Sequence, residues 1–104
     1  MKIQVLRTEC ANGRTCPQIA LTADGDLLFQ GPMASQAVAS TEVWIPTTLT
    51  TGCDISHLRS DTSGARVRVP GQRVTDPAVL AFLRVPDHEV VVRAPRAILP
   101  EVAA

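Results

Sequence analysis

Three cysteines and two histidines are the side chains of this 104-residue chain best suited to ligate a metal or attack a substrate. Five residues lie between Cys10 and Cys16, around an Asn12-Gly13 turn, and three lie between Cys53 and His57. Cys10, Cys16, Cys53 and His57 together make four soft or borderline donors, the number that a tetrahedral zinc site requires. The spacings depart from the two-residue knuckles of common zinc sites, and free cysteine is among the most buried residue types. The favoured reading therefore makes Cys16 a small core residue and expects no cofactor. A Cys10–Cys16 disulfide is a further alternative if the hairpin closes under oxidising conditions. Cys53 beside His57 also has the makings of a thiolate and its base, but no third orienting residue or oxyanion motif accompanies them. His57 then reads as a solvated loop residue, and His88 as part of the polar turn Pro86-Asp87-His88-Glu89. The sequence holds no phosphate-binding glycine loop, His-Glu-x-x-His motif or dinucleotide fingerprint, so it reads as a non-enzyme.

The charged residues suggest a second kind of chemistry. Arg59, Arg66, Arg68 and Arg73 cluster in one third of the chain. Arg66 and Arg68 alternate with Val67 and Val69, which puts both guanidinium groups on one face of a strand. Such a stripe suits phosphates or an acidic partner surface. The plainer reading, a solvated sheet face balanced by Asp54 and Asp61, is the favoured one.

The elements that would position these residues are mostly strands. Residues 2–8 alternate, with Ile3 and Val5 on one face. Residues 17–23 and 26–30 read as strands joined by Asp24-Gly25, a two-residue hairpin turn in which glycine accepts a positive φ. Gly31-Pro32 reads as the end of the second. Residues 33–40 read as a helical turn or loop, 42–45 as a short strand and 47–51 as extended. Residues 52–64 read as a flexible loop. Residues 66–69 form a strand that Pro70-Gly71 ends. The firmest helix spans 76–85, with Thr75 or Asp76 as cap and Pro77 in the first turn. Residues 89–93 make a valine strand covered on both faces. The expected fold is mainly β, a small sandwich or open barrel of about six strands with one short helix. An α+β arrangement with the helix on one sheet face is the alternative. The expected core is Val5, Ile19, Leu21, Leu28, Trp44, Ile45, Val67, Val69, Leu80, Leu83, Val91 and Ile98.

Length limits the chain to a single domain, 1–104. Hydrophobic residues at 45% and charged ones at 19% suit a folded globule. Aromatics are only 3%, which argues against stacking on single-stranded nucleic acid. Net charge is zero, which lowers the expectation of nucleic-acid binding without excluding a local basic patch. No apolar run is long enough for a membrane span, and the first residues lack a signal-peptide core. The odd cysteine count suits reduced thiols and a cytoplasmic location.

Two stretches share a grammar of strand, glycine, spacer, Glu-led strand, proline and apolar anchor. Leu27 to Gly31 leads to Glu42-Val43-Trp44-Ile45-Pro46 and Leu49. Arg66 to Gly71 leads to Glu89 to Pro95 and Ile98. A duplication of 16–51 and 53–100 would give a pseudo-symmetric sheet. The alternative is that any two strand–turn–strand units look alike.

Residues 66–93 resemble the swapped-hairpin DNA-binding modules of the AbrB type. The match lies in Val67-Arg68-Val69-Pro70, in Leu80 to Leu83, in Val85-Pro86-Asp87-His88-Glu89 and in Val90-Val91-Val92. The segment 71–75 is extra, and Asp87 or His88 stands where that family has glycine. That resemblance implies a homodimer with a paired-hairpin DNA surface. Over more of the chain, Cys16-Pro17, Asp24-Gly25, Gln30-Gly31, Val74-Thr75-Asp76-Pro77 and the 89–92 strand resemble small uncharacterised actinobacterial proteins encoded beside helix-turn-helix regulators. Residues 34–63 look like an insertion relative to them. This second resemblance implies an accessory or protein partner of a transcriptional regulator. Direct DNA binding and a zinc- or thiol-dependent activity are the alternatives.

Overall fold

The structure, a computed structural model, describes residues 2–9, 17–36 and 40–103. It is mainly β. In chain order the elements are β1 (Ile3–Thr8), β2 (Gln18–Thr22), β3 (Leu27–Gln36), β4 (Thr41–Pro46), β5 (Arg59–Ser60), β6 (Arg66–Arg73), α1 (Pro77–Leu83) and β7 (Glu89–Ala94). Short 3₁₀ turns cover Thr47–Thr50, Arg96–Ile98 and Pro100–Ala103. All strand pairs are antiparallel, and neighbours run β1-β2-β3-β4-β6-β5. β7 pairs with both β3 and β6, so β3, β4, β6 and β7 close a ring.

Two expected strand ends are overturned for one reason. β3 continues through Gly31-Pro32 to Gln36, and β6 continues through Pro70-Gly71 to Arg73. At each glycine the strand passes from one neighbour to another. β3 pairs with β7 up to Pro32 and with β4 from Met33, while β6 pairs with β4 up to Gly71 and with β7 from Gln72. A Cβ on Gly31 would collide with the carbonyl oxygen of Trp44, and one on Gly71 would lie 2.6 Å from that of Arg93. Here glycine permits close backbone approach inside a strand rather than ending it. Residues 33–36, expected as a helical turn or loop, are therefore strand. Residues 47–50, expected as extended, form a 3₁₀ turn. The stretch 52–64 contains turns and β5.

The core lies in two layers. Ile19, Leu27, Phe29, Val43, Ile45, Val67, Val69, Val92 and Ala94 fill the ring, closed at one end by Leu49, Leu99 and Val102. On the outer face of β2, β3 and β7, Ala20, Leu28 and Val91 are covered by Leu83 of α1, with Val79, Leu80 and Val85 beside it. A buried polar chain crosses this layer. Gln18 Nε2 donates to the Leu83 carbonyl at 3.0 Å and to Gln30 Oε1 at 2.6 Å, and Gln30 Nε2 donates to Glu89 Oε1 at 2.8 Å. These bonds satisfy groups that would otherwise carry a desolvation cost.

Two residues leave the expected core. Val5 is 42% exposed, although it stands opposite the buried Ala20, because β1 is an edge strand with a neighbour on one side only. Trp44 is only half-buried, on the outer side of β4. Leu21, Leu80 and Ile98 are partly exposed and pack at the edges of the two layers.

The pairing registers of the two halves coincide. With Gly71 laid on Gly31 and Pro95 on Pro46, Phe29 falls on Val69 and Val92 falls on Val43. Phe29 pairs with Val92, and Val69 pairs with Val43. Likewise Met33 pairs with Val43, and Arg73 with Val92. Leu27 pairs with Leu21 of β2, and Val67 with Ser60 of β5. Both hairpin turns hold a positive-φ glycine, Gly25 and Gly64. The glycine N–H donates to Thr22 in one turn and to Asp61 in the other.

Candidate functional site

β4, β5 and β6 present one outer face on which Trp44, Arg59, Arg66 and Arg68 meet. Cross-strand pairing sets the geometry: Arg68 stands opposite Trp44 on one side and Arg59 on the other. Residues directly opposite on antiparallel strands place their Cβ atoms roughly 5 Å apart. The guanidinium carbons of Arg66 and Arg68 lie 4.4 Å and 4.9 Å from the indole centroid, well within cation–π range. Arg66 Nε bonds Asp61 Oδ2 at 3.1 Å, and Arg68 Nη1 lies 3.6 Å from Glu42 Oε1. Glu42 also accepts from Ser35 Oγ at 2.6 Å. Among the described residues no carboxylate pairs with Arg59. Three guanidinium groups thus face two carboxylates. Of the two expected counterions, Asp61 is used. Asp54 instead accepts from the Ser56 N–H and hydroxyl, which hold its carboxyl below the usual range.

Arg73 does not join this face. It lies five residues beyond Arg68, roughly 16 Å along the strand at 3.3 Å per residue, past the Gly71 crossing, and its Nη1 is 3.5 Å from Gln36 Oε1. Trp44 is the member that reading from sequence missed, having been assigned to the core. The Pro46 stop and the alternation of Val43 and Ile45 with Trp44 carried the signal, since Val43 and Ile45 already supply the inward side.

Of the proposed zinc ligands, Cys10 and Cys16 lie outside the described residues. The Cys53 thiol is directed to the Thr51 carbonyl oxygen at 3.9 Å, and His57 Nε2 is 2.6 Å from the Ile98 carbonyl oxygen. Each side chain therefore points to a different backbone carbonyl, not to the other. Among the described residues no cluster of three or more potential metal ligands occurs.

Known protein families, curated proteins and solved structures yield no match to this chain. The site therefore rests on its own geometry.

A concave region lies between β1, the β2–β3 turn and α1. It is a cavity of about 340 Å³ lined by Ile3, Leu28, Val74 and Val79, with Lys2, Asp24, Asp76 and Arg93 around it. Its arginine is already engaged: Arg93 Nε bonds Asp26 at 2.8 Å and Nη2 bonds Asp24 at 3.0 Å. Asp26, then Asp24, raise the Arg93 pKa above its ordinary value. The cavity is at the lower limit of ligand pockets, roughly 300–1,000 Å³, and its strongest anion-binding group is committed within the chain. The arginine–tryptophan face has the better claim to a partner. Among the described residues no helix is long and apolar enough to cross a membrane.

Proposed function

We propose that this chain is a non-catalytic, cytoplasmic binding module that serves as an accessory of a transcriptional regulator and contacts its partner through Trp44, Arg59, Arg66 and Arg68. The observation that carries this reading is the half-buried Trp44 with two guanidinium groups stacked on it. Tryptophan and arginine dominate the energetics of protein interfaces because they combine large contact area with directional hydrogen bonding. A stacked guanidinium keeps its N–H edges free for carboxylates. In the test, the chain is affinity-purified under cross-linking from its native cells, beside an Arg66→Ala/Arg68→Ala variant. A DNA-binding regulator should be recovered with the wild type and depleted roughly tenfold with the variant. Recovery of no regulator, or equal recovery with both proteins, would refute the reading.

The gathering of three arginines on one sheet face favours direct DNA binding as the second reading, in the manner of an AbrB-like dimer. It predicts an affinity for duplex DNA that falls steeply with salt and with the same double substitution. Salt-independent or absent binding removes it. A zinc- or thiol-dependent activity stands behind both, since Cys53 and His57 point to separate carbonyls.

A further inference from the structure

The two halves of the barrel differ most in what lies on their outer faces. In one, α1 covers Ala20, Leu28 and Val91. In the register that lays Gly71 on Gly31 and Pro95 on Pro46, the corresponding positions of the other half are Arg59, Arg68 and Glu42. The pairings agree: Ala20 stands opposite Leu28 as Arg59 stands opposite Arg68. Gln30 stands opposite Val91 as Pro70 stands opposite Glu42. Fifteen residues, including α1, join β6 to β7, whereas four join β3 to β4. On the face of β4, β5 and β6, Arg59 and Arg66 are exposed, and the Arg66 and Arg68 side chains keep 45% and 31% of their surface accessible. The same backbone seat therefore occurs twice, apolar and filled in one half, charged and open in the other.

We infer that the open seat takes a short acidic helix of a protein partner, in the place equivalent to that of α1. This rests on the binding-module reading above and specifies its partner. The face defines the chemistry of its occupant. Three guanidinium groups against two carboxylates call for added negative charge. Trp44, half-buried beneath the Arg66 and Arg68 guanidinium groups, keeps part of its ring exposed for an apolar side chain at the rim of the arginine stripe. Residues at i and i+4 of a helix place their Cβ atoms roughly 6 Å apart, close to the roughly 5 Å between the Cβ atoms of Arg59 and Arg68, so two glutamates so spaced can face the two arginines. Duplex DNA is the poorer match, because non-specific DNA binding depends on neutralising many phosphates, and the two carboxylates beside Arg66 and Arg68 leave this face only a small excess of positive charge.

Trp44 is the only tryptophan, so its fluorescence reports this face directly. The full chain is titrated with a synthetic amphipathic helix of about four turns carrying glutamates at i and i+4 and leucines on the adjoining stripe. The same peptide with glutamine for glutamate and a duplex DNA of about two turns are titrated in parallel. The glutamate helix should change Trp44 fluorescence saturably. Affinity should be at least roughly tenfold weaker with the glutamine helix and with an Arg59→Ala/Arg68→Ala protein whose melting is unchanged. No response, or an equal response to both peptides, overturns the inference. Tighter binding of DNA overturns it and assigns the face to nucleic acid. Failure here with a regulator recovered in the purification leaves the module reading intact. Helix binding with no regulator recovered does the reverse.

Discussion

At the scale of single residues, Gly31 and Gly71 carry constraints that no other side chain can meet. Each lies where a strand passes another backbone, and a Cβ would meet a carbonyl oxygen of β4 or β7. Overpacking of this kind costs roughly 1–3 kcal/mol or more. Gly71→Ala should lower the free energy of unfolding by about 2 kcal/mol in urea denaturation, and Gly31→Ala by more. A neutral Gly71→Ala would mean that β6 does not pass close to β7. Asp61 gives a pH signature. Desolvation alone would raise its carboxyl, but the bonds from Arg66, Ser63 and Ala65 outweigh it and hold the pKa below its ordinary 3.8. The unfolded chain therefore binds a proton more readily than the folded one. The resulting stabilisation is complete above the ordinary value and is lost as pH falls through the lower folded value. Between about pH 4 and pH 2, the wild-type melting temperature should fall more steeply than that of Asp61→Asn. Parallel curves for the two proteins would remove this assignment.

At the scale of elements, α1 is capped at both ends as well as packed through Leu83. Asp76 Oδ1 accepts from the Ala78 N–H at 2.9 Å, and Pro77 opens the first turn. Asp76→Ala should cost about 1 kcal/mol. At the other end Arg84 sits at φ 55°, the left-handed conformation that glycine adopts without strain. Arg84→Gly should be neutral or stabilise by up to about 1 kcal/mol, read as a higher melting temperature. A clear destabilisation would show that the Arg84 side chain makes a contact that matters. β1 is tied down differently: Arg7 Nη1 donates to the carbonyls of Leu49 and Thr51 at 2.9 Å and 2.8 Å. The strand is thereby fastened to the end of a 3₁₀ turn more than forty residues away.

At the scale of the whole molecule, the strands of the two halves interlock. β3 of the first half pairs with β7 of the second, and β4 with β6. Neither half closes a core alone, since Phe29 needs Val92 and Val69 needs Val43 on the neighbouring strand. Separate peptides of residues 1–52 and 53–104 should each be unfolded by circular dichroism and gain β signal only when mixed. An independently folded fragment would contradict the interlocked ring. Folding should also be slow for so short a chain, in the millisecond-to-second range of sheets built from distant pairings.

The alternating valines of 66–69, a turn at Asp24-Gly25 (in the structure a three-residue loop between Thr22 and Asp26 rather than the expected two-residue one) and the capped Thr75-Asp76-Pro77 start were enough to specify a mainly β fold with one short helix. Each is a local rule: side-chain period, turn dihedrals or cap hydrogen bonding depends only on near neighbours in the chain. The continuation of β3 through Gly31-Pro32 and of β6 through Pro70-Gly71 was not legible. Glycine beside proline ends a strand or crosses another depending on which backbone lies alongside, and only tertiary structure brings that backbone there. The arginine stripe at 66 and 68 was visible as a pattern. That Arg59 joins it, that Arg73 does not, and that Trp44 lies beneath it rather than in the core were decided by strand register, because cross-strand neighbours are set by pairing between segments far apart in sequence.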